Sequence, residues 1–253
     1  MNLESLLTKT DPVDTARPMS QTESVVEGIK HMITSGTLAA GSRLPIEKDL
    51  AQELNVSRGS LREAVRALCV MGVLETRQGD GTYVTSLEPG LLLSPVGFMV
   101  DLHSANSSAD LQSVRRVLET EAAGRAAPRF SPGAQADAEV NLAGVDQLLA
   151  QGKPFDHEAI MEADIEFHRI IAQQSGSPTL EALIEALGGR TIRGRLWRAL
   201  SEEDVVYRTH DEHRAILHAL AEHDPDAARL RMGVHLLGVQ DFLADHPEAS
   251  AAG

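Results

Sequence analysis

Aromatic residues and cysteine are scarce in this sequence. Phe, Trp and Tyr make up only 3% of its 253 residues, whereas Ala and Leu recur throughout. This composition is typical of helices that pack through aliphatic side chains, and it argues against an all-β architecture. The single cysteine, Cys69, has no second cysteine with which to form an intrachain disulfide.

Long hydrophobic runs are also missing. The longest apolar stretch, residues 90–100, contains Ser94, Pro95 and Gly97 and is too short to cross a bilayer as a helix. No N-terminal stretch joins a basic flank to an apolar core of signal-peptide length. We therefore expect no contact with a membrane, and a cytoplasmic location.

Basic residues are outnumbered by acidic residues, but unevenly along the chain. The net charge is −14, of which residues 1–90 contribute −3 and residues 91–253 contribute −11. Residues 57–66 contain three arginines and only one acidic residue. A phosphate backbone responds to such a local basic surface, so the acidity of the whole chain does not exclude DNA binding.

The N-terminal part of the chain has the pattern of a helix-turn-helix. Apolar residues at helical spacing predict a first helix over 20–36 and a second over 45–54, with Pro45 in its first turn. Ser57 suits the N-cap of a third helix, which ends before Gly72. Two helices joined by a short turn in this way form a helix-turn-helix.

Two short strands are predicted directly after the third helix. Residues 73–77 and 82–85 are rich in strand formers, and the Gly-rich link between them suits a hairpin. A small helical domain with an incidental hairpin is the alternative. Arg58 and Arg62 favour DNA binding, because they lie on one face near the N-terminus of the third helix, where a recognition helix contacts bases and phosphates.

This segment resembles the N-terminal domain of GntR-family regulators. The resemblance rests on Leu-Pro-Ile-Glu-Lys-Asp-Leu-Ala from Leu44, Val-Ser-Arg-Gly-Ser-Leu-Arg-Glu-Ala-Val-Arg-Ala-Leu from Val56, and Gly-Val-Leu-Glu-Thr-Arg-Gln-Gly-Asp-Gly-Thr-Tyr-Val from Gly72. It implies that six residues contact DNA: Lys48, Ser57, Arg58, Ser60, Arg62 and Gly79. Gly59 stands where the family usually has a hydroxyl residue, so the operator sequence does not follow from the resemblance.

The remainder of the chain is predicted to be helical in every segment. Pro, Gly, Asn and Ser separators divide it into about seven helices. The predicted helices span 91–103, 108–127, 132–151, 156–174, 178–200, 204–222 and 225–244. No Gly-rich phosphate loop is present.

The predicted fold is therefore mainly α. A winged helix-turn-helix with a small β-hairpin wing is expected over 19–88, followed by an all-α helical bundle over 89–245. The tails 1–18 and 246–253 lack periodicity and are expected to be disordered.

Four side chains of the types that bind metals fall on apolar helix faces in the second domain. Asp164 and His168 lie four residues apart in one apolar stripe, and His213 and His235 lie in the stripes of the last two helices. One interpretation is a hydrogen-bonded Asp–His pair beside unrelated core histidines. The other is a divalent metal site, with Zn²⁺ or Ni²⁺ favoured, since both ions accept imidazole and carboxylate ligands together.

The remaining histidines of this domain are expected at the surface or at helix edges, although His210 lies close enough to compete with His213. These residues are His157, His210, His218, His223 and His246. For Arg193 and Arg195 two roles are open, further contacts to an anion or exposure to solvent, and exposure is favoured because Arg-rich helices usually face solvent.

The second domain resembles the FCD ligand-binding domain of the FadR subfamily. The resemblance rests on Val114-Arg115 with Glu119, on Asp164 to Phe167-His168, on Glu212-His213-Arg214-Ala215-Ile216, and on His235-Leu236. It implies a divalent metal bound by Asp164, His168, His213 and His235, with Arg115 holding a small carboxylate effector. Neutralisation of Arg115 by Glu119 is the alternative role for that arginine.

Taken with the resemblance, the sequence predicts a transcriptional regulator rather than an enzyme. We expect a homodimer that binds a palindromic operator as a repressor and responds to a small carboxylate metabolite, because one recognition helix reads too few base pairs for specificity. A metalloenzyme that uses the Asp/His site, and a regulator whose metal is purely structural, are the alternatives.

Overall fold

The computed structural model describes residues 19–103, 108–188, 192–202 and 204–246. The predicted tail 1–18, and all of the predicted C-terminal tail except His246, lie outside these residues. The chain divides into two compact units, of which the first ends at Ser86 and the second begins at Leu87. Within the described residues, no helix has both the length and the apolar character needed to span a bilayer.

The first unit is a winged helix-turn-helix, as predicted. Its elements are α1 (Gln21–Thr34), α2 (Glu47–Glu53), α3 (Arg58–Val70), β1 (Leu74–Arg77) and β2 (Gly81–Val84). The strands form an antiparallel hairpin in which Leu74 pairs with Val84 and Arg77 pairs with Gly81. The core consists of aliphatic side chains from every element, among them Ile29, Leu50, Leu61, Leu74 and Val84.

Local capping explains where the long helices of this unit begin. Ser20 and Glu23 form a reciprocal capping box at the start of α1. Ser57 caps α3 by accepting a hydrogen bond from the backbone N–H of Ser60 at 3.0 Å. These bonds satisfy N–H groups that have no partner within the helix.

The second helix begins later than the sequence predicts. It starts at Glu47, so Pro45 lies before the helix rather than in its first turn. The reason is the neighbouring hairpin: Leu44 donates its backbone N–H to Thr82 at 2.8 Å, and Arg43 forms a bridge with Tyr83. This pairing keeps the chain extended up to Pro45.

The second unit is an all-α bundle. Its helices are α4 (Pro89–His103), α5 (Ser108–Ala126), α6 (Pro132–Ala150), α7 (His157–Gln174), α8 (Pro178–Gly188), α9 (Ile192–Ser201), α10 (Val205–Ala221) and α11 (Pro225–Asp245). A short 3₁₀ turn, Ala127–Arg129, follows α5. The mainly α fold is thus confirmed.

One predicted helix is divided in the structure. The sequence predicts a single helix over 178–200, whereas α8 ends at Gly188 and α9 begins at Ile192. The sequence has two consecutive glycines at Gly188 and Gly189, and glycine is the poorest helix former after proline. Arg195 lies on α9, the second of these two helices.

The core of the bundle lies where α5, α7, α10 and α11 meet. Its largest fully buried side chains include Phe167, Ile171, Ile216, Met232 and Leu236. Several alanines of α5 and α6 belong to the same core, so the helices approach each other closely. The four candidate metal ligands project from three of these helices.

Candidate functional site

The four candidate ligands lie together in the interior of the bundle. Asp164 and His168 come from α7, His213 from α10 and His235 from α11. One donor atom from each residue can be chosen so that all four lie within 4.8 Å of one another, and all four residues are buried. The sequence placed these residues on three different helices, and the tertiary structure brings them to one point.

Packing against aromatic rings holds the imidazoles in place. The Phe167 ring stacks on the His213 ring with centroids 4.6 Å apart. His168 and His235 stack on each other with centroids 5.3 Å apart. Phe167 is adjacent to His168 in the chain and fully buried, so the apolar core itself fixes two of the three rings.

Carboxylates behind two of the histidines determine which ring nitrogen faces the site. His168 donates its Nδ1–H to Glu119, and His235 donates its Nδ1–H to Glu212 at 2.8 Å. A neutral imidazole that donates from Nδ1 carries a lone pair on Nε2. The carboxylates Glu119 and Glu212 therefore turn the accepting Nε2 atoms of both rings inward.

The inward ring nitrogens lie close together, and one of them has no hydrogen-bond partner among the described residues. His168 Nε2 is buried without a hydrogen-bond partner, and the Nε2 atoms of His213 and His235 lie 3.3 Å apart. Asp164 Oδ1 lies 3.6 Å from His213 Nε2 and 4.0 Å from His168 Nε2. Ligands about 2.1 Å from a tetrahedral ion lie roughly 3.4 Å from one another, so this donor set fits a divalent metal.

Burial keeps the histidines in the form that binds metals. Desolvation lowers the pKa of His213 well below its usual value, and the neighbouring His235 and His168 lower it further. Desolvation also lowers the pKa of His235 to about 4, although Glu212 partly opposes that shift. Both rings are therefore neutral near pH 7, with lone pairs available.

Arg115 is buried beside the site, on the side of His168. It is 1% exposed and donates to Glu119, the carboxylate that also holds His168. Burial alone would raise the pKa of Glu119, but Arg115 and His168 together lower it below its usual range. The neutralisation of Arg115 by Glu119, one of the two roles considered from the sequence, is thus present in the structure.

Arg195 is an arginine for which the favoured prediction, exposure to solvent, was wrong. It was expected to be exposed, but it is buried and donates from Nη1 to Asp164 Oδ2. Its Nη2 donates to the backbone oxygen of Gly188 at 3.1 Å. Arg195 therefore leaves Asp164 Oδ1 directed at the histidines. The side chain of Arg193 lies outside the described residues.

The expectation for His210 was also wrong. His210 is buried, not at the surface, and its Nε2 lies 2.8 Å from Asp146 Oδ1. Arg214 holds the other oxygen of the same carboxylate. The sequence did contain a sign that His210 faces the core, since it lies three residues before His213 on the same helix. Its partner Asp146 is 64 residues away, so helical spacing could not identify it.

A cavity of about 60 Å³ adjoins two of the four candidate ligands, Asp164 and His213. Asp164, His213 and Arg195 contribute polar atoms to its wall, and the rest is mostly aliphatic. The aliphatic part includes Val145, Ile160, Met161, Val205, Val206 and Val239. Small polar groups in an apolar cavity are the usual composition of a small-molecule site.

The six candidate DNA contacts lie on one unit, the winged helix-turn-helix. Lys48, Arg58 and Arg62 are exposed, as is Gly79 in the hairpin loop. Gly79 has φ +77°, a left-handed conformation that favours glycine. The loop can therefore turn tightly and present its backbone at the surface.

Two of these positions also have structural partners. Ser57 donates its backbone N–H, and Ser60 its hydroxyl, to Gln21 of α1 at 3.1 and 3.2 Å. Arg62 donates to both carboxylate oxygens of Glu47, at 3.1 and 2.9 Å from Nε. Gln21 thus fixes the start of α3 against α1, and Glu47 holds Arg62 extended along the surface.

Comparison with known proteins agrees with both units. Residues 21–84 match the family described as bacterial regulatory proteins, gntR family, and residues 110–238 match the FCD domain. The chain is 30% identical to the HTH-type transcriptional regulator LutR of Bacillus subtilis, covering 86% of this chain and 98% of that protein. It is 28% identical to the HTH-type transcriptional repressor NanR of Klebsiella aerogenes, and the match covers 88% of this chain and 86% of that protein.

The fold also matches a solved structure. The GntR protein of Streptococcus agalactiae superposes with a TM-score of 0.62 and 27% sequence identity, covering 87% of this chain and 99% of that one. These proteins are named as transcriptional regulators and not as enzymes, which argues against the metalloenzyme alternative. The chain therefore belongs to the gntR family of bacterial regulatory proteins and is a DNA-binding transcriptional regulator with a C-terminal FCD domain.

Proposed function

We propose that this regulator senses a small carboxylate metabolite through a divalent metal ion, Zn²⁺ or Ni²⁺, held by Asp164, His168, His213 and His235. The observation that carries the proposal is the convergence of four buried metal-type side chains, whose ligand atoms lie within 4.8 Å of one another and include His168 Nε2, which has no hydrogen-bond partner among the described residues. Buried polar atoms are usually paired, and a cation held by these four residues would pair His168 Nε2. When bound, the metal supplies positive charge and positions at which an organic acid can coordinate.

The cavity and Arg195 support a sensing role over a purely structural metal. A structural site is closed, whereas the cavity leaves room for an acid beside Asp164 and His213. The Arg195 guanidinium adds a second positive group at the cavity wall, which favours a carboxylate. Direct contact with the acid by Arg115, the role implied by the family resemblance, remains part of the proposal, beside the hydrogen bond from its Nε to Glu119.

An exposed apolar surface supports the homodimer. Two helices, α5 and α11, pack together, and both carry exposed aliphatic side chains, namely Val114, Val117, Leu230, Val234 and Leu237. Aliphatic residues that line a continuous surface usually mark a contact with another protein chain. A twofold axis through this surface would cover it with a second copy of itself and pair two recognition helices.

For DNA binding we propose contacts from Lys48, Ser57, Arg58, Ser60, Arg62 and Gly79 on a palindromic operator. Repression is the expected mode, in line with the relative that is named a repressor. The acid would favour an arrangement of the dimer in which the recognition helices no longer match the two half-sites. Membership of the FadR subfamily and a cytoplasmic location agree with this function.

Elemental analysis and thermal-shift measurements on the purified chain test the proposal. We expect about one divalent ion per chain, and an acid that raises the melting temperature only when the metal is bound. Loss of folding after chelation would support the structural-metal alternative instead. A gel-shift titration in which the acid leaves operator affinity unchanged would contradict the coupling but not the metal site.

A further inference from the structure

An acidic side chain lies among the residues assigned to DNA contact. Glu47 is the first residue of α2, adjacent in the chain to Lys48, and it forms an ion pair with Arg62 of α3. The two side chains are 51% and 60% exposed and line one groove, to which Gly79 of the hairpin loop also contributes. A carboxylate repels the phosphates of DNA, so Glu47 by itself weakens binding to the DNA backbone.

The ion pair fixes the direction of the Arg62 guanidinium. Arg62 Nε lies 2.9 Å from Glu47 Oε2 and 3.1 Å from Oε1, and Arg62 Nη2 lies 2.8 Å from Oε2. The carboxylate therefore accepts along one edge of the planar group, the edge that joins Nε and Nη2. The hydrogen bond from Arg62 lowers the pKa of Glu47, so this carboxylate is ionised at neutral pH.

Three of the five N–H bonds of Arg62 remain available to a partner. Glu47 accepts from Nε and from one hydrogen of Nη2, which leaves both hydrogens of Nη1 and the outer hydrogen of Nη2. The outer hydrogens of Nη1 and Nη2 are parallel and form a fork at the end of the side chain. This fork matches the O6 and N7 acceptors that guanine presents in the major groove.

The charge of the ion pair favours a base over a phosphate as the partner of the fork. Arg62 and Glu47 together carry no net charge, so a phosphate at Arg62 gains little attraction and releases few counterions. The same phosphate is repelled by Glu47. The edge of guanine is neutral and accepts two hydrogen bonds without that repulsion.

A purely structural role explains the ion pair less well. The helices α2 and α3 already pack against each other and bury Leu50 and Leu61. Ion pairs as exposed as this one contribute little to stability, because water and salt screen them. The position of Glu47 beside the DNA-contacting residues therefore indicates a role in binding.

We propose that Arg62 reads a guanine in each half-site of the operator and that Glu47 is the positioning residue for this contact. The inference rests on the proposed function, because that function places Arg62 on DNA. Glu47 aims the fork through its hydrogen bonds, and its charge disfavours contact between Arg62 and the phosphates of any sequence. Glu47 thus raises the ratio of specific to non-specific affinity, on which recognition of an operator depends.

Selection from DNA of random sequence tests the inference with the full chain. Duplexes with a random central segment are enriched separately on the wild type, on Arg62→Ala and on Glu47→Gln, and the enriched sites are sequenced. We expect a guanine preference in each wild-type half-site that is lost with Arg62→Ala and weakened with Glu47→Gln, while the other positions keep theirs. Identical base preferences in the wild type and Arg62→Ala would overturn the inference.

Affinities at several salt concentrations distinguish a base contact from a phosphate contact. The probes are the duplex enriched by the wild type and a shuffled duplex of the same length and composition. Arg62→Ala is expected to bind the enriched duplex about tenfold more weakly, with little change in its affinity for the shuffled duplex or in its salt dependence. An equal loss on both duplexes, with a salt slope smaller by about one for each arginine removed, would make Arg62 a phosphate contact. That result overturns the inference and leaves the proposed function intact.

Glu47→Gln tests the positioning role, since Gln keeps an accepting oxygen without the charge. The affinity ratio between the two duplexes is expected to fall at least threefold, which is part of the roughly tenfold discrimination that Arg62 supplies. The shuffled duplex is expected to bind more tightly and with a steeper salt slope, because the released Arg62 can pair with a phosphate. The matched control Glu53→Gln removes the same charge from an exposed residue of α2 and is expected to keep the ratio.

Three results would overturn the positioning role of Glu47. One is an unchanged ratio in Glu47→Gln, and another is an equal fall of the ratio in Glu53→Gln. The third is an equal loss on both duplexes together with a lower melting temperature in Glu47→Gln, which would identify the ion pair as structural.

Failure of the proposed function gives a different set of results. If Arg62→Ala binds both duplexes as the wild type does, Arg62 does not contact DNA, and the inference fails with that contact. If the wild type enriches no site, the operator of the proposed function fails as well. Circular dichroism confirms that each variant folds; if Arg62→Ala does not, Arg62→Gln replaces it, since Gln keeps a long polar side chain without the fork for guanine.

Discussion

Replacing Glu212 by Gln is expected to weaken Zn²⁺ binding about tenfold without unfolding the domain. Glu212 accepts a hydrogen bond from His235 Nδ1 at 2.8 Å and opposes the fall of the His235 pKa that burial causes. Gln keeps an accepting oxygen but removes the negative charge, so His235 becomes a weaker base and a weaker ligand. Substituting a residue that holds a metal ligand in place typically lowers metal affinity about 10- to 100-fold. Because Gln keeps the hydrogen bond to His235, we expect a loss at the lower end of that range.

The effect on the free energy of unfolding is expected to be small, because the Glu212 side chain is 30% exposed. Water already weakens the electrostatic interaction that the substitution removes. Competition with a chelator of known affinity gives the dissociation constant, and circular dichroism confirms the fold. The matched control is Asp211→Asn, which removes the same charge from an exposed neighbour. Unchanged affinity in Glu212→Gln, or an equal loss in Asp211→Asn, would refute the reasoning.

Three further substitutions test other parts of the structure. Arg62→Ala is expected to lower operator affinity about tenfold in a gel shift, and unchanged affinity would remove this residue from the DNA surface. Phe167→Ala is expected to cost about 3–5 kcal/mol in urea unfolding, because the ring is fully buried and stacks on His213; a loss below about 1 kcal/mol would contradict that packing role. Val234→Glu is expected to yield monomers in light scattering, whereas Val140→Glu, also at an exposed valine, is not; dimers in both variants would exclude the proposed surface.

Local patterns were enough to predict most of the elements. The spacing of apolar residues identified the helices, and Ser57 identified the start of α3, because periodicity and capping depend on neighbours in the chain. Strand formers around a Gly-rich link predicted the wing in the same way. Where a distant segment intervened, prediction failed: pairing with the hairpin delayed the start of α2.

The candidate metal ligands could be proposed from sequence because each one interrupts an apolar helix face. Asp164, His168, His213 and His235 are polar residues in stripes that have to face the core, and a buried polar group needs a partner. Family resemblance then named the metal as that partner. Neither argument required knowledge of how the helices pack.

The environment of those ligands was decided by tertiary packing alone. Arg195 has the sequence context of an exposed arginine, and His210 was expected at an edge, yet both are buried in the cavity wall. Their partners Asp164 and Asp146 lie on other helices, 31 and 64 residues away. Helical spacing specifies which residues share a face of one helix, but only the packing of several helices determines which charges meet, and therefore which nitrogen of each histidine faces the ligand.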